Sequence, residues 1–528
     1  MNKKILIVLL LIFISTSCNI NKNNIDNNNS SGALENTNSG STDLTNGETN
    51  PQNDVITKKK NSIEELRKKL ALKGLILKGD ISLENGDYTS ALVKYLQIHK
   101  ELPNDESIIQ KLGDVNYNLK KFDKAYSYYS QIKGYDRLDR DLAARTLISS
   151  GNLSNENIQF IIKELDTLGL NEEQLIYYKT ALECKIDFSE CRKEYQDYFT
   201  KRKNDTTNTG SGSTNSEIKF EALANIKKSI DNYENFQLDD LHYKGALVAG
   251  AFFENGLYPI AIETSKNILN NKNDYKPLLK IIAKSYFELG NYVQAKLYLI
   301  EYSNIVQDDE EVSFFLGVVY ERLHEYVLST IHLNKAIDLG YNNTLDVYKR
   351  VLYNYNQLGE MDKMLETFNN MFNKHKETMS IDDYNLAIYY SLINDKNKEA
   401  KEFTSYAITK YPNSEIFNGY MGWILMNSIN SKPIQKAANN SSTGSTDISE
   451  NNKEYINKLY AESEKYIDKG LELNSKSPML NMVKGKLEIS KGDYKKAFLY
   501  LTKTVSLDLD GEFGTMAKSD LENIKINN

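Results

Sequence analysis

The chain has 528 residues and a formal charge of −7, with 72 acidic against 65 basic side chains and no Lys/Arg block, which argues against a nucleic-acid binder. Scarce Pro (7), Trp (1) and His (5) beside 36 Tyr suit a largely helical chain better than a mosaic of enzymes. The 40% hydrophobic content is enough for a core, and beyond the N-terminus no apolar run is long enough to span a bilayer.

At the N-terminus, Lys3 and Lys4 precede an apolar run from Ile5 to Ile14, too short to span and suited to a signal sequence. Ser15-Thr16-Ser17-Cys18 then resembles a bacterial lipoprotein cleavage box, with Ser15 where an apolar residue is commoner. Residues 1–17 are therefore expected to be a signal peptide and Cys18 the lipidated mature N-terminus; an ordinary secretory signal is the alternative. Residues 18–60 are rich in Asn, Ser, Thr, Gly and Asp and poor in large apolar side chains. Such a segment cannot bury enough surface to order itself. It is expected to be a disordered tether, with a flexible reach of roughly 35 Å.

From residue 61 the chain repeats. Ala91, in NGDYTSALVKYLQI, is followed by Ala125 in KKFDKAYSYYSQI, and the later Ala261, Ala295 and Ser329 keep the same spacing, near the ~34 residues of a two-helix unit. Within the first unit Leu75, Gly79 and Leu83 share one helical face. Asn85-Gly86-Asp87 then breaks the helix, with Gly for a left-handed turn and Asp87 to cap the next helix. Tyr88, Ala91, Tyr95 and Ile98 form the face of that second helix. The small residue is expected where two helix axes approach closely.

This pattern resembles the tetratricopeptide repeat family. The resemblance rests on Leu112-Gly113, Phe122, Ala125 and Tyr129, then on Ala283, Tyr286, Gly290, Tyr292 and Ala295. It continues through Leu316-Gly317, Tyr320, Tyr326, Ser329 and Ala336, and ends with Gly485, Gly492, Tyr494 and Ala497. Weaker units carry Leu358-Gly359 with Met364 in place of Ala, and Ala400, Ala407 and Pro412. The Trp that opens many family repeats is absent from these units. The resemblance implies an all-α, right-handed α-solenoid of helix–turn–helix hairpins. Repeat units are expected at 61–135, 238–412 and 413–528, the last interrupted by a disordered insertion at 437–452. Between them, 136–237 reads as degenerate helical hairpins at about 138–149, 154–168, 171–185, 188–202 and 217–233, with a disordered insertion at 203–216. Five helices between hairpins in phase imply that one is interrupted or stands outside the alternation.

No catalytic constellation and no cofactor motif emerges, so no enzyme, cofactor or metal site is expected. The five His make no HExxH and no i, i+4 ligand pair. The stretch SLDLDGEFG has a faint likeness to a calcium loop but lacks its closing carboxylate, because Ala517 stands there; a helix end and turn is the better reading. Cys184 and Cys191 flank a short predicted turn and form either a disulfide or two buried thiols.

In tetratricopeptide arrays the first helices of the hairpins line a concave groove that receives peptide segments. Here Lys276, Lys280 and Lys284 make one helical stripe, and the next two first helices offer Phe315, then Arg350 and Tyr353. Lys280 and Arg350 coincide with two of five positions that some family members use to grip a C-terminal carboxylate. Lys284 and Phe315 replace that clamp's two Asn, and Asp346 replaces a Lys. Lys280, Lys284, Phe315, Arg350 and Tyr353 are thus the expected groove for an acidic or C-terminal segment of a partner protein. The function expected is a non-catalytic, exported scaffold or adaptor in the bacterial cell envelope, lipid-anchored at the outer membrane or cell surface, serving envelope or secretion assembly by analogy with the family. The alternative is an envelope sensor that binds a small molecule or carbohydrate.

Overall fold

The computed structural model describes residues 51–133, 139–151, 153–208, 218–235, 241–269, 275–429 and 446–527, and every regular element among them is an α-helix. They fall into two units, one ending at His324 and the other beginning at Glu325. Cys18 and the expected signal peptide lie outside the described residues.

The first unit holds α1 (Pro51–Glu84), α2 (Tyr88–Glu101), α3 (Glu106–Asn118), α4 (Phe122–Tyr129), α5 (Arg140–Ser150), α6 (Asn155–Thr167) and α7 (Glu172–Cys184). It continues with α8 (Phe188–Asn208), α9 (Glu221–Asn235), α10 (Leu241–Glu254), α11 (Tyr258–Leu269), α12 (Lys276–Glu288), α13 (Tyr292–Ile305) and α14 (Glu310–Arg322). The second unit holds α15 (Tyr326–Asp338), α16 (Thr344–Leu358), α17 (Met361–His375), α18 (Ile381–Ile393) and α19 (Asn397–Lys410). Then come α20 (Glu415–Ile429), α21 (Thr446–Leu473), α22 (Pro478–Lys491), α23 (Tyr494–Leu507) and α24 (Glu512–Asn527).

One turn joins the regular hairpins. Between α1 and α2, Gly86 takes the left-handed conformation (φ 73°), the Asp87 amide donates back to the Ser82 carbonyl at 2.8 Å, and the Asp87 carboxylate accepts the Ser90 amide at 3.0 Å. These bonds satisfy backbone groups that helix ends leave open. The α12–α13 turn repeats the geometry through Gly290 and Asn291. In the α3–α4 turn Lys120 takes the same conformation without being glycine.

The close approach of helices is built from Gly and Tyr as well as Ala. Gly79 lies under the Tyr95 ring, where an added methyl would sit 2.6 Å from a ring carbon, and Gly113 lies under Tyr129 in the same way. The adjacent residue takes the hydroxyl: Tyr95 donates to Asp80 at 2.6 Å and Tyr129 to Asp114 at 2.7 Å. A fully buried ring thereby keeps its polar end satisfied. The small-residue column is buried throughout, at Ala91, Ala125, Ala261, Ala295, Ser329, Ala400 and Ala497, and Met364 occupies the same column.

The degenerate stretch forms the five helices expected, α5 to α9. The odd one is α9, which packs on α7, α8 and α10 before the α10–α11 hairpin resumes the alternation. Three helices reach into stretches expected to be disordered. α1 begins at Pro51, inside the expected tether; α8 continues to Asn208, inside 203–216; and α21 begins at Thr446, inside 437–452. Polar composition argues against burial, yet a helix already nucleated by packed residues extends at little cost, because each further residue adds a hydrogen bond.

Candidate partner-binding faces

In the first unit α12 carries Lys280 and Lys284 one turn apart, and their ammonium groups meet the start of α14. Lys280 lies 3.0 Å from Asp309 and 2.7 Å from Glu311, and Lys284 lies 2.8 Å from Glu311. Asp309 also caps α14 through the Val312 amide at 2.9 Å and accepts the Tyr302 hydroxyl at 3.0 Å. Burial pushes both carboxyls up, but the Val312 amide and Lys280 for Asp309, and the two lysines for Glu311, outweigh it and hold both below the usual carboxylate range. Burial likewise lowers Lys280, and hydrogen bonds to Glu311 and Asp309 more than reverse it. Lys284 also stands over the rings of Phe253 and Phe315, at 5.0 and 5.5 Å. Phe315 packs edge-on against Phe287 with ring centroids 4.9 Å apart.

Arg350 and Tyr353 belong to the second unit, a turn apart on α16. Arg350 pairs with Asp346 of its own helix at 3.0 Å, and the neighbouring Lys349 reaches Asp383 at 3.0 Å. Tyr353 meets Tyr326 edge-on at 6.0 Å. The surplus of positive charge expected along this face is therefore corrected. Two lysines face two carboxylates in the first unit, and Arg350 and Lys349 each face one in the second. For Lys280, Lys284 and Lys349 the physical reason is stacking, because the acidic starts of α14 and α18 meet the preceding first helix, whereas Arg350 is matched within α16 by Asp346.

Cys184 and Cys191 form a disulfide across the α7–α8 turn, with Cα atoms 4.9 Å apart. Beside it Glu183 faces Glu194, and burial together with that second carboxylate pushes Glu183 up to about 7.

The sequence reading missed a face of the second unit. Asn385 and Tyr389 lie a turn apart on α18, Tyr420 lies on α20, and the Tyr420 hydroxyl donates to Asn385 at 2.6 Å. Onto it comes the start of α24. The Phe513 ring stands edge-on to Tyr389 at 6.4 Å, and Glu512 lies near the Tyr389 hydroxyl, which is buried without a hydrogen bond among the described residues. Burial first, then Glu512, raises Tyr389 far above the ordinary tyrosine range and Tyr390 to about 12. The one signal for this contact was SLDLDGEFG, which forms the expected helix end and turn, with the Gly514 amide donating to the Asp508 carboxylate at 3.0 Å. Among the described residues no group of three or more His, Cys, Asp or Glu is placed to hold a metal ion.

Two-helix hairpins recur at the spacing set by Gly79 and Gly113, Tyr95 and Tyr129, with the same turn and the same buried small residue. The repeat is an all-α helical hairpin repeat that resembles the tetratricopeptide type. No family model and no curated protein matches the chain. Among solved structures, MamA is 20% identical, covering 33% of this chain and 96% of its own at a TM-score of 0.28. A tetratricopeptide repeat protein from Parabacteroides merdae is 12% identical, with 54% and 98% covered and a TM-score of 0.28. YrrB, a tetratricopeptide repeat protein with an unusual peptide-binding site, is 11% identical, with 48% and 97% covered and a TM-score of 0.25. At such TM-scores the assignment rests on the hairpins themselves.

Proposed function

We propose that the chain is a non-catalytic protein-binding scaffold of the bacterial cell envelope, exported and anchored through acyl chains on Cys18. One observation carries the binding reading: in the second unit, first helices of successive hairpins offer a tyrosine-lined face, and that face already holds a polypeptide segment, the start of α24. Packed hairpins present such a face without paying for its ordering at each encounter, which favours recognition of an extended or helical partner segment. Export is supported by the apolar N-terminal run and the lipoprotein-like box, and by the Cys184–Cys191 disulfide, a bond that persists in oxidising compartments.

The test is capture of crosslinked partners from envelope extract with the full-length chain as bait. A single protein recovered in stoichiometric amount, and lost when Tyr389 and Tyr420 are both changed to Ala in a chain that keeps its helicity, is the expected result. Absence of any stoichiometric protein, with a melting shift on adding a sugar or other small molecule, would replace the scaffold by the sensor reading. In the same extracts Cys18→Ala should move the protein out of the detergent phase. If that variant partitions like the unaltered chain, the anchor lies elsewhere.

A further inference from the structure

α24 does more than cover its neighbours. A hairpin of a repeat array exposes an apolar face until the next helix covers it. α24 does this with Ala517, fully buried, and Ile524, 7% exposed, and Asp520 pairs with Lys486 of α22 at 2.8 Å. Covering α22 and α23 needs no contact with α18, two hairpins back. Yet Glu512 and Phe513 reach Tyr389, and a specific turn sends them there. Gly511 and Gly514 pass so close to Asp508 that a β-carbon at either would collide with it, and the Asp508 carboxylate holds the Gly514 amide. Those two glycines are what allow α24 to start with its first two side chains over α18.

The seat has a defined chemistry. Tyr389 and Tyr420 are 6% and 3% exposed, so their hydroxyls have little access to water. Tyr420 donates to Asn385, whereas the buried Tyr389 hydroxyl makes no hydrogen bond among the described residues, with Glu512 nearby and the edge of Phe513 against its ring. Other lysines of this unit serve other seams: Lys484 is engaged with Glu464 and Asp468, and Lys349 with Asp383. A carboxylate that stands near a tyrosine hydroxyl without bonding it is held less firmly than one bound by Arg. The contact therefore suits exchange.

We propose that the Asn385–Tyr389–Tyr420 face is a recognition site for a polypeptide segment that carries a carboxylate beside an aromatic ring, and that Glu512 and Phe513 are its tethered occupant, displaced when the partner binds. This rests on the protein-binding reading above and adds to it the partner's chemistry and a built-in competitor. Occupation in cis lowers apparent affinity by the fraction of molecules whose site is free.

The probe is a fluorescent peptide of residues 506–518, titrated into the full-length chain. Glu512→Gln combined with Phe513→Ala empties the site while leaving Ala517, Ile524 and Asp520 in place. The emptied chain should bind the peptide at least about tenfold more tightly than the unaltered chain. A peptide carrying the same two changes should not bind, and Tyr389→Phe in the emptied chain should abolish the gain. In the unaltered chain, saturating peptide should speed hydrogen exchange at the α24 amides and leave α15 to α17 as they were. An emptied chain with native helicity and melting temperature that takes up no peptide overturns the proposal. If that variant fails to fold, unchanged α24 exchange at saturating peptide overturns it instead. Should both arms fail while the envelope capture still yields its stoichiometric partner, the tethered-occupant idea falls and the scaffold reading stands.

Discussion

Two seams between helices use lysine differently. In the second unit Lys484 of α22, only 5% exposed, meets Asp468 at 2.7 Å and Glu464 at 2.9 Å, both on α21, with Glu488 of its own helix at 3.7 Å. Lys491 shares Glu464 at 2.7 Å. In the first unit Lys280 and Lys284 meet two carboxylates, with about a quarter of each lysine side chain still exposed. The first arrangement surrounds one buried cation with acids; the second matches charge for charge near water. Removing a buried cation leaves its carboxylates uncompensated and is costly, whereas matched pairs at a wet seam leave the holding to apolar packing.

The largest expected effect tests the buried seam. Lys484→Ala would leave Glu488, 3% exposed, without its cation and set Glu464 and Asp468 beside it, a loss of ~3–5 kcal/mol by analogy with broken buried pairs. Urea denaturation should show it, with hydrogen exchange rising first in α21 to α23. A variant as stable as the parent would mean that water reaches this lysine freely.

Next comes packing at the first seam. Ala295 is fully buried at the helix contact, and Ala295→Leu should cost ~1–3 kcal/mol by overpacking, with the disturbance spreading first to adjacent hairpins. Removing both lysines there, Lys280→Ala with Lys284→Ala, should cost less, at ~0–1 kcal/mol per pair and less still in high salt. If the double lysine variant proves the more damaging of the two, the comparison is reversed. Charge reversal is different: Lys280→Glu would gather three carboxylates at the seam, so it should lower the melting temperature as well as alter any binding.

The smallest effects are those of pH, and they have opposite signs. Hydrogen bonds from Lys491 and Lys484 hold Glu464 down to about 2. Its contribution is complete above the ordinary glutamate value of 4.5 and is lost as pH falls toward about 2. Glu183, with no such cation and raised to about 7, favours the fold while protonated, so its contribution is present below 4.5 and is lost as pH rises through about 7. Melting curves between pH 4 and 8 should show the α7–α8 hairpin weakening with rising pH, and Glu183→Gln should flatten that slope. A slope unchanged in the variant would assign the titration to another group.

What the sequence determined by itself is the local frame of each hairpin, its turn, its cap and its buried small residue. The Gly86 turn, the Asp87 cap, the buried Ala column and the five helices of the degenerate stretch follow from spacing, because helix periodicity and turn chemistry act over a few residues. The cysteine pair was legible as two alternatives, and the short α7–α8 turn brings them into bonding range. The tertiary structure alone decided what meets across hairpins. Asp309 and Glu311 neutralise the lysine stripe 29 and 27 residues before them, and Glu512 settles beside Tyr389 from the far end of the second unit. It also set how far α1, α8 and α21 run past their packed turns. The reason is the same in each case. A repeat period dictates which side chains recur, but the rotation of one hairpin on the next, set by the summed packing of buried rings and small residues, dictates which of them touch.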